Sequence, residues 1–125
     1  MIDQYSAYPI ADTKVNGAST VGENIADIGG VKIAYAALQK AVAGKPQEKI
    51  DGFTPEQRFF LGFAQIWRSV QRDEDLKLMV NTNPHSPGRY RVNGPLSDLV
   101  EFQKAFNLPD NCPMVRPAGK KVNIW

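Results

Sequence analysis

Two carboxylates four residues apart, Glu23 and Asp27, lie in the run Gly22-Glu23-Asn24-Ile25-Ala26-Asp27-Ile28-Gly29-Gly30. On a helix, residues i and i+4 share one face. Like charges at that spacing repel and destabilise the helix slightly. The repulsion vanishes when a cation binds one carboxylate and a donor engages the other. A zinc site has this form: one carboxylate oxygen ligates the metal at ~2.0–2.2 Å, and a second carboxylate holds the imidazole of a histidine ligand. Two structural roles compete with that chemistry. Glu23 is the third residue after Thr20, which suits a capping box. Asp27 falls close enough to a helix N-terminus for the dipole to favour its charge. Taken alone, the spacing occurs on many solvated helix faces.

The only histidine, His85, stands in Asn83-Pro84-His85-Ser86-Pro87-Gly88. Two prolines restrict that loop at small entropic cost, which is a way to pre-organise a donor. By itself, a loop histidine is also a routine local hydrogen-bonder. Arg91, taken alone, is a routine surface or salt-bridge arginine. Cys112 is the only cysteine, between Asn111 and Pro113. An intrachain disulfide and a cysteine-based zinc site are thereby excluded, and no histidine lies near enough in sequence to suggest a catalytic thiol.

These residues need elements to hold them. Thr20 with Glu23 predicts a helix starting near Ser19 or Thr20, with apolar positions Ile25, Ile28, Val31, Ala34, Tyr35 and Leu38, ending by Gly44. Gly29 and Gly30 inside it cost roughly 1 kcal/mol each against alanine; close approach of a neighbouring backbone would account for them. Thr54-Pro55-Glu56-Gln57 predicts a second helix, whose apolar positions Phe59, Phe60, Phe63, Ile66, Trp67 and Val70 read as core packing. Asp73 is the expected cap of a third, shorter helix through Val80, and Ser97 of a fourth carrying Leu99, Phe102 and Phe106. Tyr90 to Asn93 reads as one short strand before a turn at Gly94-Pro95, with Arg89, Arg91 and Asn93 on one face. Residues 1–17 read as an extended arm, and 108–125 as an irregular, proline-rich tail. The predicted fold is mainly α: three to four helices, a proline-rich loop, one short strand and irregular termini.

The 125 residues suffice for one small domain with its own core. With 15 basic and 13 acidic residues, the net charge of +2 makes no case for nucleic-acid or membrane-surface binding. No apolar run approaches the ~20 residues of a membrane helix. Met1-Ile2-Asp3-Gln4-Tyr5 lacks the pattern of a signal peptide. In a piece of a longer chain, that says nothing about where the parent goes.

The longer pattern Val15-Asn16-Gly17-x-Ser19-Thr20-x-Gly22-Glu23-Asn24-Ile25-Ala26-Asp27-x-Gly29-Gly30 resembles a segment of the neprilysin-family zinc endopeptidases, which are gluzincins. The resemblance continues through Phe59-Phe60-Leu61-x-Phe63-Ala64-Gln65-x-Trp67 and His85-Ser86-Pro87-Gly88, with Arg91 six residues after His85. The blocks follow the order and spacing of the family's C-terminal part. The resemblance implies a partial zincin catalytic domain, residues 1–125 forming a single C-terminal piece. It implies Glu23 as the third zinc ligand and Asp27 as the group orienting the first histidine of a His-Glu-x-x-His helix. It implies His85 as the stabiliser of the oxyanion, and Arg91 as the residue binding a substrate carbonyl. The parent would hydrolyse small peptides by zinc-activated water.

Two departures stand out. The chain has no His-Glu-x-x-His, so zinc is expected in an intact parent and not at this site in the chain alone. Val122 stands where animal members carry the cysteine of a C-terminal Cys-x-x-Trp, which points to a bacterial-type member. The parent's location stays open among periplasm, medium and cell envelope. The expected partners are peptide substrates, the missing N-terminal part of the catalytic domain, and further copies of this chain. The alternative function is a non-catalytic helical interaction module or a truncated piece without activity of its own.

Overall fold

The computed structural model describes residues 1–124. Among the described residues there are six α-helices: α1 (Ile2–Ser6), α2 (Gly17–Val42), α3 (Pro55–Ile66), α4 (Asp73–Thr82), α5 (Gly88–Asp98) and α6 (Val100–Ala105). Two short strands, β1 (Pro9–Ile10) and β2 (Thr13–Lys14), form an antiparallel ribbon pairing Pro9 with Lys14 and Ile10 with Thr13. One 3-10 turn, Ala118–Lys120, interrupts the otherwise irregular C-terminal stretch. The mainly α architecture agrees with the sequence reading, and Trp125 lies outside the described residues.

The central element is α2, 26 residues and ~39 Å long at 1.5 Å per residue. Its cap differs from expectation. The Asn16 side chain accepts the Ser19 amide at 3.1 Å, so the helix begins at Gly17. Thr20 is already inside, its Oγ1 donating to the Asn16 carbonyl at 3.0 Å. The Thr20–Glu23 capping box therefore does not form, because an asparagine three residues earlier than Ser19 captures the first turn. Glu23 is left without a capping role. Gly30 also departs from expectation: a Cβ there would meet nothing within 4 Å in this chain.

The start of α3 is as predicted. Gln57 N donates to Thr54 Oγ1 at 3.2 Å, Thr54 N donates to Gln57 Oε1 at 3.0 Å, and Pro55 takes the first helical position. The helix stops at Ile66, short of Val70. Asp73 does not cap α4; it is the first helical residue, preceded by Arg72 with no side-chain cap.

Tyr90 to Asn93 is helix and not strand. The Pro87 carbonyl accepts the Tyr90 and Arg91 amides at 2.7 and 3.1 Å and so opens α5. The helix then runs through Gly94-Pro95 where a turn was expected. A residue before proline is normally driven out of helix by a clash involving its Cβ, and Gly94 has none. Gly94 is also demanded by packing, because a Cβ would lie 2.3 Å from the Tyr5 hydroxyl. Ser97 likewise caps nothing. It sits within α5, donating to the Gly94 carbonyl at 2.8 Å, and α6 starts only at Val100.

The N-terminal segment is no loose arm. Tyr5 is fully buried, and with Ile10, Val15, Val80 and Tyr90 it forms one of two cores. Tyr8 stacks on Tyr90 with ring centroids 4.5 Å apart. The second core packs Phe60, Leu96 and Leu99 against Val31 of α2. Asp98 ties the two chain ends together: its carboxylate accepts from Gln4 Nε2 at 2.8 Å and from the Val122 amide at 2.8 Å, with Arg116 Nε at 3.2 Å. Of the apolar face of α3, only Phe60 is fully buried; Ile66 is 74% exposed.

Candidate active-site face

Glu23 and Asp27 project from one face of α2, and the 83–87 loop with the start of α5 closes over that face. His85 Nε2 lies 3.0 Å from Glu23 Oε2, with both side chains about two-fifths exposed. One turn further on, Arg91 forks onto Asp27: Nε donates to Oδ2 at 2.8 Å and Nη2 to Oδ1 at 2.7 Å. This second pair is largely enclosed, with side-chain exposures of 15% for Arg91 and 10% for Asp27. The guanidinium also lies over the Trp67 ring, 4.0 Å from its centroid. Hydrogen bonding to Asp27 pushes the Arg91 pKa up from its already high value. Thus the four residues singled out from the sequence meet as two pairs, Glu23 with His85 and Asp27 with Arg91.

The helical start at Gly88 explains why Arg91 reaches Asp27. Gly88 packs so closely beneath Trp67 that a Cβ would come 2.8 Å from the Trp67 carbonyl. That contact brings α5 against the end of α3 and places Arg91 between Trp67 and α2. On a strand, Arg91 would have shared a face with Arg89 and Asn93; on a helix it stands apart from both.

Asn83 is a site residue that the sequence reading passed over. Its Oδ1 accepts the His85 backbone amide at 2.9 Å and lies 2.8 Å from His85 Nδ1. An oxygen that accepts a backbone N–H is fixed as oxygen, so Nδ1 must donate to it. Nε2 faces a carboxylate oxygen, also an acceptor. The available signal was Asn83 two residues before His85, a spacing at which an Asx side chain bonds the backbone locally.

Beside the pairs is an open cleft of about 370 Å³, lined by Ile66, Trp67, Met79, Asn83, His85 and Arg91. Ser69, Gln71, Ser86 and Gly88 complete its lining, so apolar and polar groups share its walls. Trp67 Nε1 is buried with no acceptor among the described residues.

The residues present do not make a zinc site by themselves. Among the described residues, no group of three or more His, Cys, Asp or Glu could hold a metal ion. A catalytic zinc takes three protein ligands and an open position. Glu23 fits as one such ligand, with Oε1 not engaged by His85; the others would have to come from elsewhere. No helix among the described residues is long and apolar enough to cross a membrane.

The chain is 45% identical to human endothelin-converting enzyme 1 over 128 aligned positions, covering all of this chain and 16% of that protein. It is 46% identical to an endothelin-converting enzyme homolog of Locusta migratoria, covering 98% of this chain and 16% of that protein. The cryo-EM structure of the zinc metalloprotease Zmp1 of Mycobacterium tuberculosis in its open state superimposes with a TM-score of 0.93 at 39% identity, over 99% of this chain and 20% of that one. The chain thus spans about a sixth of the length of these curated relatives. The model of peptidase family M13 matches residues 1–122. By sequence, by fold and by the extent of that match, the chain belongs to peptidase family M13.

Proposed function

We propose that this chain has no peptidase activity of its own and forms one wall of a zinc endopeptidase active site that other segments complete. The observation that carries the reading is the pairing of Glu23 with His85 at 3.0 Å, beside Asp27 forked by Arg91, with no group of three or more His, Cys, Asp or Glu among the described residues that could hold a metal ion. In the completed domain Glu23 would be the third zinc ligand. Zinc there would supply the activated water; this chain's residues bind and position. Asp27 holds Arg91 through Nε and Nη2, leaving Nη1 to meet a substrate carbonyl. Each Asp27 oxygen keeps a lone pair that could accept from a histidine of the His-Glu-x-x-His helix. His85, held by Asn83, presents Nε2–H toward developing negative charge. The cleft along Ile66, Trp67 and Met79 would take an apolar side chain of a small peptide.

On this reading residues 1–125 belong to the C-terminal part of the catalytic domain. Val122 in place of the cysteine of animal members supports a bacterial-type parent. A non-catalytic interaction module remains the reading for the chain in isolation. The exposed apolar residues Ile33, Ile66 and Leu78 favour association with the rest of such a domain or with a second copy.

The test is steady-state kinetics and metal analysis on the intact enzyme. His85→Ala is expected to lower turnover ~10²–10³-fold with zinc content retained, because an oxyanion donor acts on charge present only in the transition state. Arg91→Ala should raise the Michaelis constant as well, since a carbonyl contact exists in the ground state. Glu23→Ala should lose zinc. Wild-type turnover in His85→Ala would return His85 to a structural loop role.

A further inference from the structure

Glu23 and His85 are each followed by a buried polar residue, and those two residues also meet. Ser86 Oγ donates to Asn24 Oδ1 at 2.8 Å, and both residues are fully buried at 0% exposure. Asn24 Nδ2 in turn donates to Thr20 Oγ1 at 3.0 Å, and Thr20 Oγ1 donates to the Asn16 carbonyl at 3.0 Å. The side chain of Asn24 therefore uses its acceptor and its donor on different elements. One end grips the 83–87 loop, the other the first turn of α2.

We propose that Asn24 and Ser86 are positioning residues that set the separation of Glu23 and His85. The Glu23–His85 contact cannot set its own geometry. Both side chains are partly exposed, and a solvent-accessible pair of rotatable groups gains little from one fixed arrangement. The Asn24–Ser86 bond is of another kind. Breaking it strands a hydroxyl and an amide oxygen in the interior, where no water replaces the lost partner. The buried bond therefore holds its register. Each of its members is covalently next to a member of the exposed pair, so the buried bond sets how far apart the backbones carrying Glu23 and His85 lie. Pro84 and Pro87 restrict the loop on either side of the clamp. Asn83 orients the His85 ring, whereas Ser86 sets where the loop sits on α2. The catalytic meaning of this clamp rests on the proposed function; its geometric content does not.

Because His85 is the only histidine, its ring signals in a heteronuclear NMR spectrum are identified without ambiguity. The experiment compares the displacement of the His85 ring ¹⁵N shifts on Glu23→Gln in the wild-type chain and in the Ser86→Ala chain, at one fixed pH. Expected is a clear displacement in the wild-type background and less than half of it in Ser86→Ala, with amide signals outside the 83–87 loop and the first turns of α2 unchanged. An equal displacement in both backgrounds overturns the proposal, as does no displacement in the wild type. Should Ser86→Ala not fold, Thr20→Val removes the bond that orients the Asn24 amide and leaves the loop sequence untouched. It is expected to reduce the displacement in the same direction, and an unreduced displacement overturns the proposal. The measurement needs neither zinc nor substrate. A failure of the peptidase reading would appear in the kinetics of His85→Ala and leave this coupling in place.

Discussion

Arg91→Ala is the most informative single change to the folded chain. It strips Asp27 of two charge-assisted hydrogen bonds, at 2.8 and 2.7 Å, in surroundings that leave its side chain only 10% exposed. Exposed ion pairs are worth about 0–1 kcal/mol. Removing one partner of a buried pair costs about 3–5 kcal/mol, because a buried charge is left uncompensated. The pair lies close to the buried limit; allowing for residual solvent access at Asp27, about 2–3 kcal/mol is reasonable. The stacking of the guanidinium on Trp67 adds roughly 1 kcal/mol. The total, about 3–4 kcal/mol, is a large share of the ~5–15 kcal/mol that holds a domain folded. The midpoint of thermal unfolding should fall by about 10 °C or more. Arg91→Lys keeps the charge, loses the fork and the planar stack, and should fall between. Urea unfolding of Arg91→Ala, Asp27→Asn and the double variant completes the assay. The double variant should be more stable than the sum of the single losses predicts, because it leaves no unpaired carboxylate. A loss below about 1 kcal/mol for Arg91→Ala, or strict additivity in the cycle, would refute the reasoning.

Three further changes test the frame around the site. Gly94→Ala sets a Cβ 2.3 Å from the Tyr5 hydroxyl, and should destabilise by about 1–3 kcal/mol in thermal unfolding, with part of the loss recovered by Tyr5→Leu. Asp98→Ala removes the acceptor of the Val122 amide at 2.8 Å, so that amide should lose hydrogen-exchange protection while those of α2 keep theirs. Ile66, 74% exposed, and Leu78, 64% exposed, leave apolar surface open. Light scattering should therefore show apparent mass rising with concentration, and a monodisperse monomer at high concentration would speak for an autonomous module.

The parts of the fold that were legible in the sequence are those fixed by neighbours along the chain. Thr54, Pro55 and Gln57 specify the start of α3 among themselves, and the observed cap is the predicted one. Glu23 and Asp27 share a helix face because their spacing does. What misled were short segments whose conformation is chosen by distant partners. Alternation around Arg91 suggested a strand, but the Pro87 carbonyl and the docking of Gly88 beneath Trp67 start a helix there. Gly94-Pro95 reads as a turn until Tyr5, some ninety residues away in sequence, is seen to need the space. Thr20 and Asn16 both offer caps, and only the three-dimensional start of α2 decides between them. At the site, the sequence supplied the charged residues and not their pairing. Asn24, Asn83 and Ser86 stand next to or near Glu23 and His85 in sequence, and their hydrogen-bond partners are set by folding.

We propose that this chain supplies one wall of a zinc endopeptidase site, with Glu23 as a ligand that other segments must complete. Calorimetric titration of zinc into the purified chain, with hydrolysis of a small fluorogenic peptide followed alongside, tests it most directly. No stoichiometric zinc site that depends on Glu23 and no zinc-dependent cleavage are expected. One zinc per chain together with peptide cleavage, both abolished by Glu23→Ala, would contradict it.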